Sequence, residues 1–272
     1  MLATEPRPVG GVITAGLRLA IASLAPLWPL FAIAALPQTL VASYLVTAGP
    51  RLDPGADAAA LDAYAQEMLR YLPALYLSLV FNITAVAAGQ SVWARSGRPG
   101  PVSALARGLK LTPALLVLLC AYVAIGSLGL IAFVLPGLIL LVNLCLFPYV
   151  PIMEARSPWS GLARSQQLIW SAHWWRAAAV TGTIVLLGLV IGEVIGTLVA
   201  VIDQGGADST GGFSVPRLLA SWATLTLFTP ISTALMLALY QDLLLRDRTA
   251  RNPPQAPPSP PPPPPPPGRM DA

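Results

Sequence analysis

Residues 135–176 read LPGLILLVNLCLFPYVPIMEARSPWSGLARSQQLIWSAHWWR, and they decide the fold class. The apolar run that opens at Pro136-Gly137 and ends near Met153 would reach about 27 Å as a helix, close to the thickness of a hydrocarbon core. Ser157-Pro158 then supplies a helix cap and a first-turn proline. In the helix that follows, Trp159, Leu162, Ile169 and Trp170 oppose Ser160, Arg164, Gln167 and Ser171, the pattern of a helix lying on a membrane surface. Trp174-Trp175-Arg176 marks the start of the next span.

The whole chain repeats that character. It is 55% hydrophobic and only 10% charged, with a mean hydropathy of +0.67, far from the roughly 25% charged residues of a soluble domain. A backbone in lipid must satisfy its own hydrogen bonds, which leaves helices or a closed barrel. Long apolar runs without alternation exclude the barrel. The expected fold is all-α and integral to the membrane, with spans at about residues 24–46, 72–93, 112–134, 136–153, 177–202 and 215–240. Surface helices are expected at about 9–23, 101–111 and 158–173, making 1–248 one membrane domain. Cys120 and Cys145 fall at different depths on either side of Pro136-Gly137 and are read as unpaired gap-fillers. Asp53-Pro54 is the expected start of the helix leading into the second span.

Charge orients the spans. Arg7, Arg18, Arg95, Arg98, Arg107, Lys110, Arg156, Arg164, Arg176, Arg246, Arg248, Arg251 and Arg269 fall on one side, and only Arg51, Arg70 and Arg217 on the other. The positive-inside rule then puts both termini in the cytoplasm of a cell with an inner membrane. Trp28, Trp93, Trp159, Trp170, Trp174 and Trp175 are expected at that inner interface, with Trp222 apart.

Ser103-Ala104-Leu105-Ala106-Arg107 matches Ser160-Gly161-Leu162-Ala163-Arg164, and Thr14 with Arg18 repeats the spacing more loosely. Residues four apart share a helix face. Each pair precedes two spans, so the chain reads as three copies of one unit: surface helix, span out, span back. Arg18, Arg107, Lys110 and Arg164 would form a basic collar contacting lipid headgroups, beside the simpler role of fixing the depth of the bundle.

The opening stretch resembles the membrane-domain family named after glycerophosphoryl diester phosphodiesterase. The features shared are Pro136-Gly137 at the span entry, Pro148 and Pro151 near its inner end, Glu154, the Ser157-Pro158 turn, the Leu-Ala-Arg-Ser helix, and Trp174-Trp175-Arg176. Ser171-Ala172-His173 stands where the family often has Thr-x-Gly. The resemblance implies a membrane domain, which some members carry in front of a soluble phosphodiesterase. That catalytic domain uses histidine and carboxylate-bound metal, and with one histidine in this chain its activity is not carried over.

Glu193 is the one ionisable side chain expected deep in a span, which makes it a functional candidate by default. It lies in a small-residue ladder of Gly188, Gly192 and Gly196, suited to close helix packing. Roughly 14 Å below the helix end, it shares its depth with Gln38, Asn82, Asn143 and Thr226. Five spans would thus build one polar layer, serving either as interhelical glue or as a proton or cation site of a small transporter. His173 lacks Cys or His companions and is read as interfacial; no metal site, cofactor motif or phosphate loop is visible. The basic balance follows the inner membrane face and gives no cause to invoke nucleic acid. Residues 249–272, nearly all proline, are expected to be a disordered tail or a rod that docks a protein partner with an aromatic groove. The expectation for the whole is a non-enzymatic lipid-interacting scaffold or accessory protein, with the transporter as alternative.

Overall fold

A computed structural model describes residues 5–48, 55, 57–96, 100–154, 157, 160–170, 173–203 and 215–251. The proline-rich tail, Asp53-Pro54 and Pro158-Trp159 lie outside the described residues. Eight helices run in the order α1 (Val9–Ala48), α2 (Ala58–Ser96), α3 (Pro101–Ala132), α4 (Val134–Leu144), α5 (Tyr149–Glu154), α6 (Ser160–Trp170), α7 (Trp174–Asp203) and α8 (Val215–Arg251). Counting α4 and α5 as one segment, six stretches are long and apolar enough to span a membrane.

The first two expected surface helices are not separate elements. Residues 9–23 continue without a break into α1, and residues 101–111 into α3. Ser23 and Thr112 stand at the two junctions, but their hydroxyls bond back to the Ala20 and Gly108 carbonyls instead of capping a new helix, and Pro26 and Pro113 are carried inside the continuous helices. α1 is consequently about 60 Å long, twice the hydrocarbon thickness. Trp28 shifts with it: its ring meets that of Trp222 edge-on at 6.3 Å, and Trp222 Nε1 donates to the Ala32 carbonyl at 3.0 Å. Trp28 therefore sits at the level of Trp222.

Helix starts follow local chemistry. Asp57 caps α2, its carboxylate accepting from the Ala60 amide at 2.8 Å. Gly100 and Pro101 open α3. The α3–α4 break falls at Phe133, which is extended (φ −159°, ψ 131°), and not at Pro136. Pro136 occupies the first turn of α4, where the absent N–H costs nothing because that turn has no acceptor to give it. Gly137 lets the hairpin close: a Cβ there would lie 2.5 Å from the Leu130 amide nitrogen.

α1, α3 and α7 begin, and α2, α5 and α8 end, at one pole of the bundle, where the arginines gather. α1 packs along α8, and α2 along both α1 and α3. Gly16 brings α1 onto the Leu235 backbone of α8, where a Cβ would stand 2.7 Å from Leu235 Cα. The main buried cluster, including Val12, Leu146, Ile152, Ile169, Leu235 and Tyr240, lies toward this basic pole. Of the six spanning stretches α7 is the least enclosed, and it turns Leu186, Leu189, Val190 and Leu198 outward. Both cysteines are free.

Candidate functional site

The segment between α4 and α5 breaks the helical ladder inside an apolar stretch. Residues 145–148 make only short turns, with Cys145 N bonding Val142 O at 3.3 Å and Phe147 N bonding Leu144 O at 3.1 Å. Backbone left open in lipid must be satisfied by protein. Ser165 of α6 does this. The Leu146 amide donates to Ser165 Oγ at 3.2 Å, and Ser165 Oγ donates to the Asn143 carbonyl at 2.7 Å. Gly161 allows the approach, since a Cβ would lie 2.9 Å from the Phe147 carbonyl oxygen.

Docking through Ser165 turns α6 differently from the sequence expectation. Its buried residues are Gly161, Arg164, Ser165, Leu168 and Ile169, while Trp170 is exposed. Arg164 thus lies inward, only 7% exposed, with Nη2 at 2.8 Å from Asp247 and Nε at 3.4 Å from Glu154. Tyr240 donates its hydroxyl to the same Glu154 oxygen. Burial works against the charge on Arg164, but its hydrogen bond to Asp247 and the two carboxylates outweigh it and raise its pKa. Arg107 also turns inward, donating to the Ile152 carbonyl at 2.7 Å, and Arg95 donates to Met153 at 3.2 Å. Together they satisfy the last carbonyls of α5.

A second ion network locks the N-terminal segment. Asp242, 1% exposed, accepts from the Arg7 amide at 2.6 Å and from Arg246 Nε at 2.9 Å, with Arg176 Nη1 at 3.4 Å. Arg176 and Arg246 also donate to the Arg7 carbonyl, at 2.7 and 2.8 Å. The two guanidinium groups and one carboxylate therefore hold the backbone of a single residue, Arg7, by both its N–H and its carbonyl.

Of the expected collar, then, Arg107 and Arg164 hold the fold, whereas Arg18 and Lys110 are exposed and make no ion pair among the described residues. Exposed apolar residues, Val102 and Leu109 on α3 and Trp170 and Trp175 farther along, occupy the same pole.

The expected polar layer is only partly assembled. Asn82 Nδ2 donates to Gln38 Oε1 at 3.2 Å and to Thr229 Oγ1 at 3.4 Å, joining α1, α2 and α8. Among the described residues, Thr226, buried one turn from Thr229, has no partner for its hydroxyl, and the buried Asn143 has none for either amide atom. Glu193 does not join them. It is exposed on α7, and a Cβ at Gly192 or Gly196 would meet nothing within 4 Å. Only Gly188 packs, with the Phe228 ring 3.0 Å from its notional Cβ. The ladder pattern fixes which residues share a face, but not whether another helix covers that face.

The sequence reading missed a second polar knot. Gln90 donates to the Pro230 carbonyl at 2.8 Å and accepts from Thr233 Oγ1 at 2.8 Å, where the proline disturbs the α8 ladder. It also missed Asp242 and Asp247. Their signal was the spacing of four to Arg246 and Arg251, a helical ion-pair pattern hidden in a segment read only as basic.

No protein-family model, curated protein or solved structure matches the chain. Function must be argued from this geometry alone.

Proposed function

We propose that this chain is a non-enzymatic, lipid-interacting scaffold or accessory protein of the inner membrane, with both termini cytoplasmic and the basic pole at the inner leaflet. The observation that carries the proposal is the division of labour among the cations. Arg95, Arg107, Arg164, Arg176 and Arg246 are consumed by internal contacts, while Arg18 and Lys110 stay exposed beside outward-facing apolar side chains. Cations next to apolar residues suit the boundary between anionic headgroups and acyl chains.

On this reading the three hydroxyl-arginine pairs descend from one repeated unit of interfacial helix and two spans, kinship with the glycerophosphoryl diester phosphodiesterase membrane domains included. In the later two copies the arginine has been recruited to hold α5, while Arg18 keeps an open role. A transporter built around Glu193 is less well supported, because that carboxylate stands apart from the Gln38–Asn82–Thr229 layer.

The test is vesicle floatation of the detergent-solubilised full chain on reconstitution into mixtures of increasing phosphatidylglycerol content. Incorporation should rise with anionic lipid, and replacing Arg18 and Lys110 together by Gln should flatten that dependence. An equally steep dependence in the double variant would count against the proposal.

A further inference from the structure

Two cavities open at the basic pole, and their walls differ in charge. One, about 640 Å³, is lined by Arg95, Arg164, Arg248 and Arg251 but also by Glu154 and Asp247, and it shares Gln241 with the second cavity. Its cations are largely spoken for, since Arg164 pairs with both carboxylates and Arg251 lies 3.1 Å from Asp247. The other, about 600 Å³, lies among Arg7, α1, the end of α2 and α8, and has no acidic residue on its wall. Arg7, Thr14, Arg18 and Gln241 supply its polar surface, and Leu19 and Ala238 part of its apolar surface. Neither the Arg7 nor the Arg18 guanidinium makes an ion pair among the described residues. Asp242, the neighbour of Gln241, is already neutralised by Arg176 and Arg246.

A second observation comes from Gln241 itself. It stands on the wall between the two cavities, and its Nε2 is buried with no acceptor among the described residues. Buried donors are nearly always satisfied, so this one marks a place for an acceptor oxygen. Two uncompensated guanidinium groups and an idle amide donor around one cavity match the many acceptor oxygens and negative charge of a phosphate.

We propose that this cavity binds a phosphate group, carried by the headgroup of an anionic glycerophospholipid. Arg18 and Arg7 meet the charge, and Gln241 donates to a phosphate or glycerol oxygen. Arg18 stands about 14 Å along α1 from its start, toward the apolar part of the helix, which favours a lipid over a soluble phosphate. Leu19 and Ala238 offer surface for the first acyl carbons. The inference rests on the lipid-interacting reading above and gives it a defined site.

The test uses the full chain in nanodiscs of equal phosphatidylglycerol and phosphatidylcholine, released for native mass spectrometry of retained lipid. R18Q should weaken phosphatidylglycerol retention by about tenfold, the scale of one charge-assisted hydrogen bond. Q241L leaves net charge unchanged, so a loss of several-fold there reports the cavity and not the general field. R217Q, the same charge change at the opposite pole, should retain lipid as the parent does. Parent-like retention by both R18Q and Q241L, or an equal loss in R217Q, overturns the site while leaving lipid preference in place. A parent protein without any preference for phosphatidylglycerol overturns the broader reading as well. A parallel titration of the detergent-solubilised chain with inorganic phosphate separates the sources. Binding that R18Q abolishes, without lipid retention, upholds the phosphate site with soluble phosphate as its ligand.

Discussion

Arg164 of α6 and Asp247 of α8 meet at 2.8 Å across 83 positions of sequence, and Glu154 at the end of α5 completes the contact. This one arginine ties the short helix to the end of the last span. Its pair with Asp247 also sets a pH response. Burial raises the pKa of Asp247, but the hydrogen bond and charge of Arg164, with Arg251 behind it, pull it below the usual carboxylate value. A carboxyl depressed in the folded state stabilises the fold above its unfolded pKa, near 3.9, and that gain is lost as pH falls through the depressed value. The difference in melting temperature between parent and D247N should therefore stay constant from pH 8 to pH 5 and shrink only below about pH 4. A difference that vanishes between pH 7 and pH 5 would contradict this assignment.

Ser165 repairs the α4–α5 break with a single hydroxyl. S165A should leave the Leu146 amide and the Asn143 carbonyl unsatisfied in a buried setting, costing about 1–3 kcal/mol. S160A removes only an exposed local bond and should be near neutral. Thermal unfolding in detergent distinguishes the two, and equal effects would deny Ser165 its special place.

Asp242 is the carboxylate that Arg176 and Arg246 share, and among the described residues neither has another. D242N strips two cations of their partner at a buried site and should destabilise by about 3–5 kcal/mol. R251Q breaks a pair in which the arginine is mostly exposed, and should cost under about 1 kcal/mol. Limited proteolysis should also find the N-terminal segment released in D242N, because the same network holds the backbone of Arg7. Retained protection there would mean the clasp does not depend on Asp242.

The architecture was legible because bilayer thickness and backbone hydrogen bonding allow few solutions. Six apolar stretches, the α3–α4 hairpin and the clustering of arginine follow from length and charge. What sequence could not convey was rotation about a helix axis. Arg164 carries the pattern of an outward cation, yet the need to satisfy the backbone at 145–148 turns Ser165, and Arg164 with it, inward. Glu193 errs the opposite way: it was expected in the polar layer, but which face of α7 meets the bundle depends on Phe228 at Gly188 and nothing at Gly192. The Gln38–Asn82 contact succeeded because both residues sit on helices packed along their length.

Glu193, exposed on α7 and outside the polar layer, contributes no packing to the bundle. E193L should fold and insert at least as well as the parent, with a melting temperature equal or higher, because an acidic residue at such depth disfavours insertion. Loss of the folded protein in E193L would show that Glu193 has a partner essential to the fold.

Lipid selectivity of the unaltered chain bears most directly on the functional account. The full-length protein would be extracted from a bilayer of equal phosphatidylglycerol and phosphatidylcholine and its bound lipids quantified by mass spectrometry. Enrichment of phosphatidylglycerol several-fold above the bilayer ratio is the expected result. Bound lipid in the same ratio as the bilayer would contradict the claim that the basic pole engages anionic headgroups.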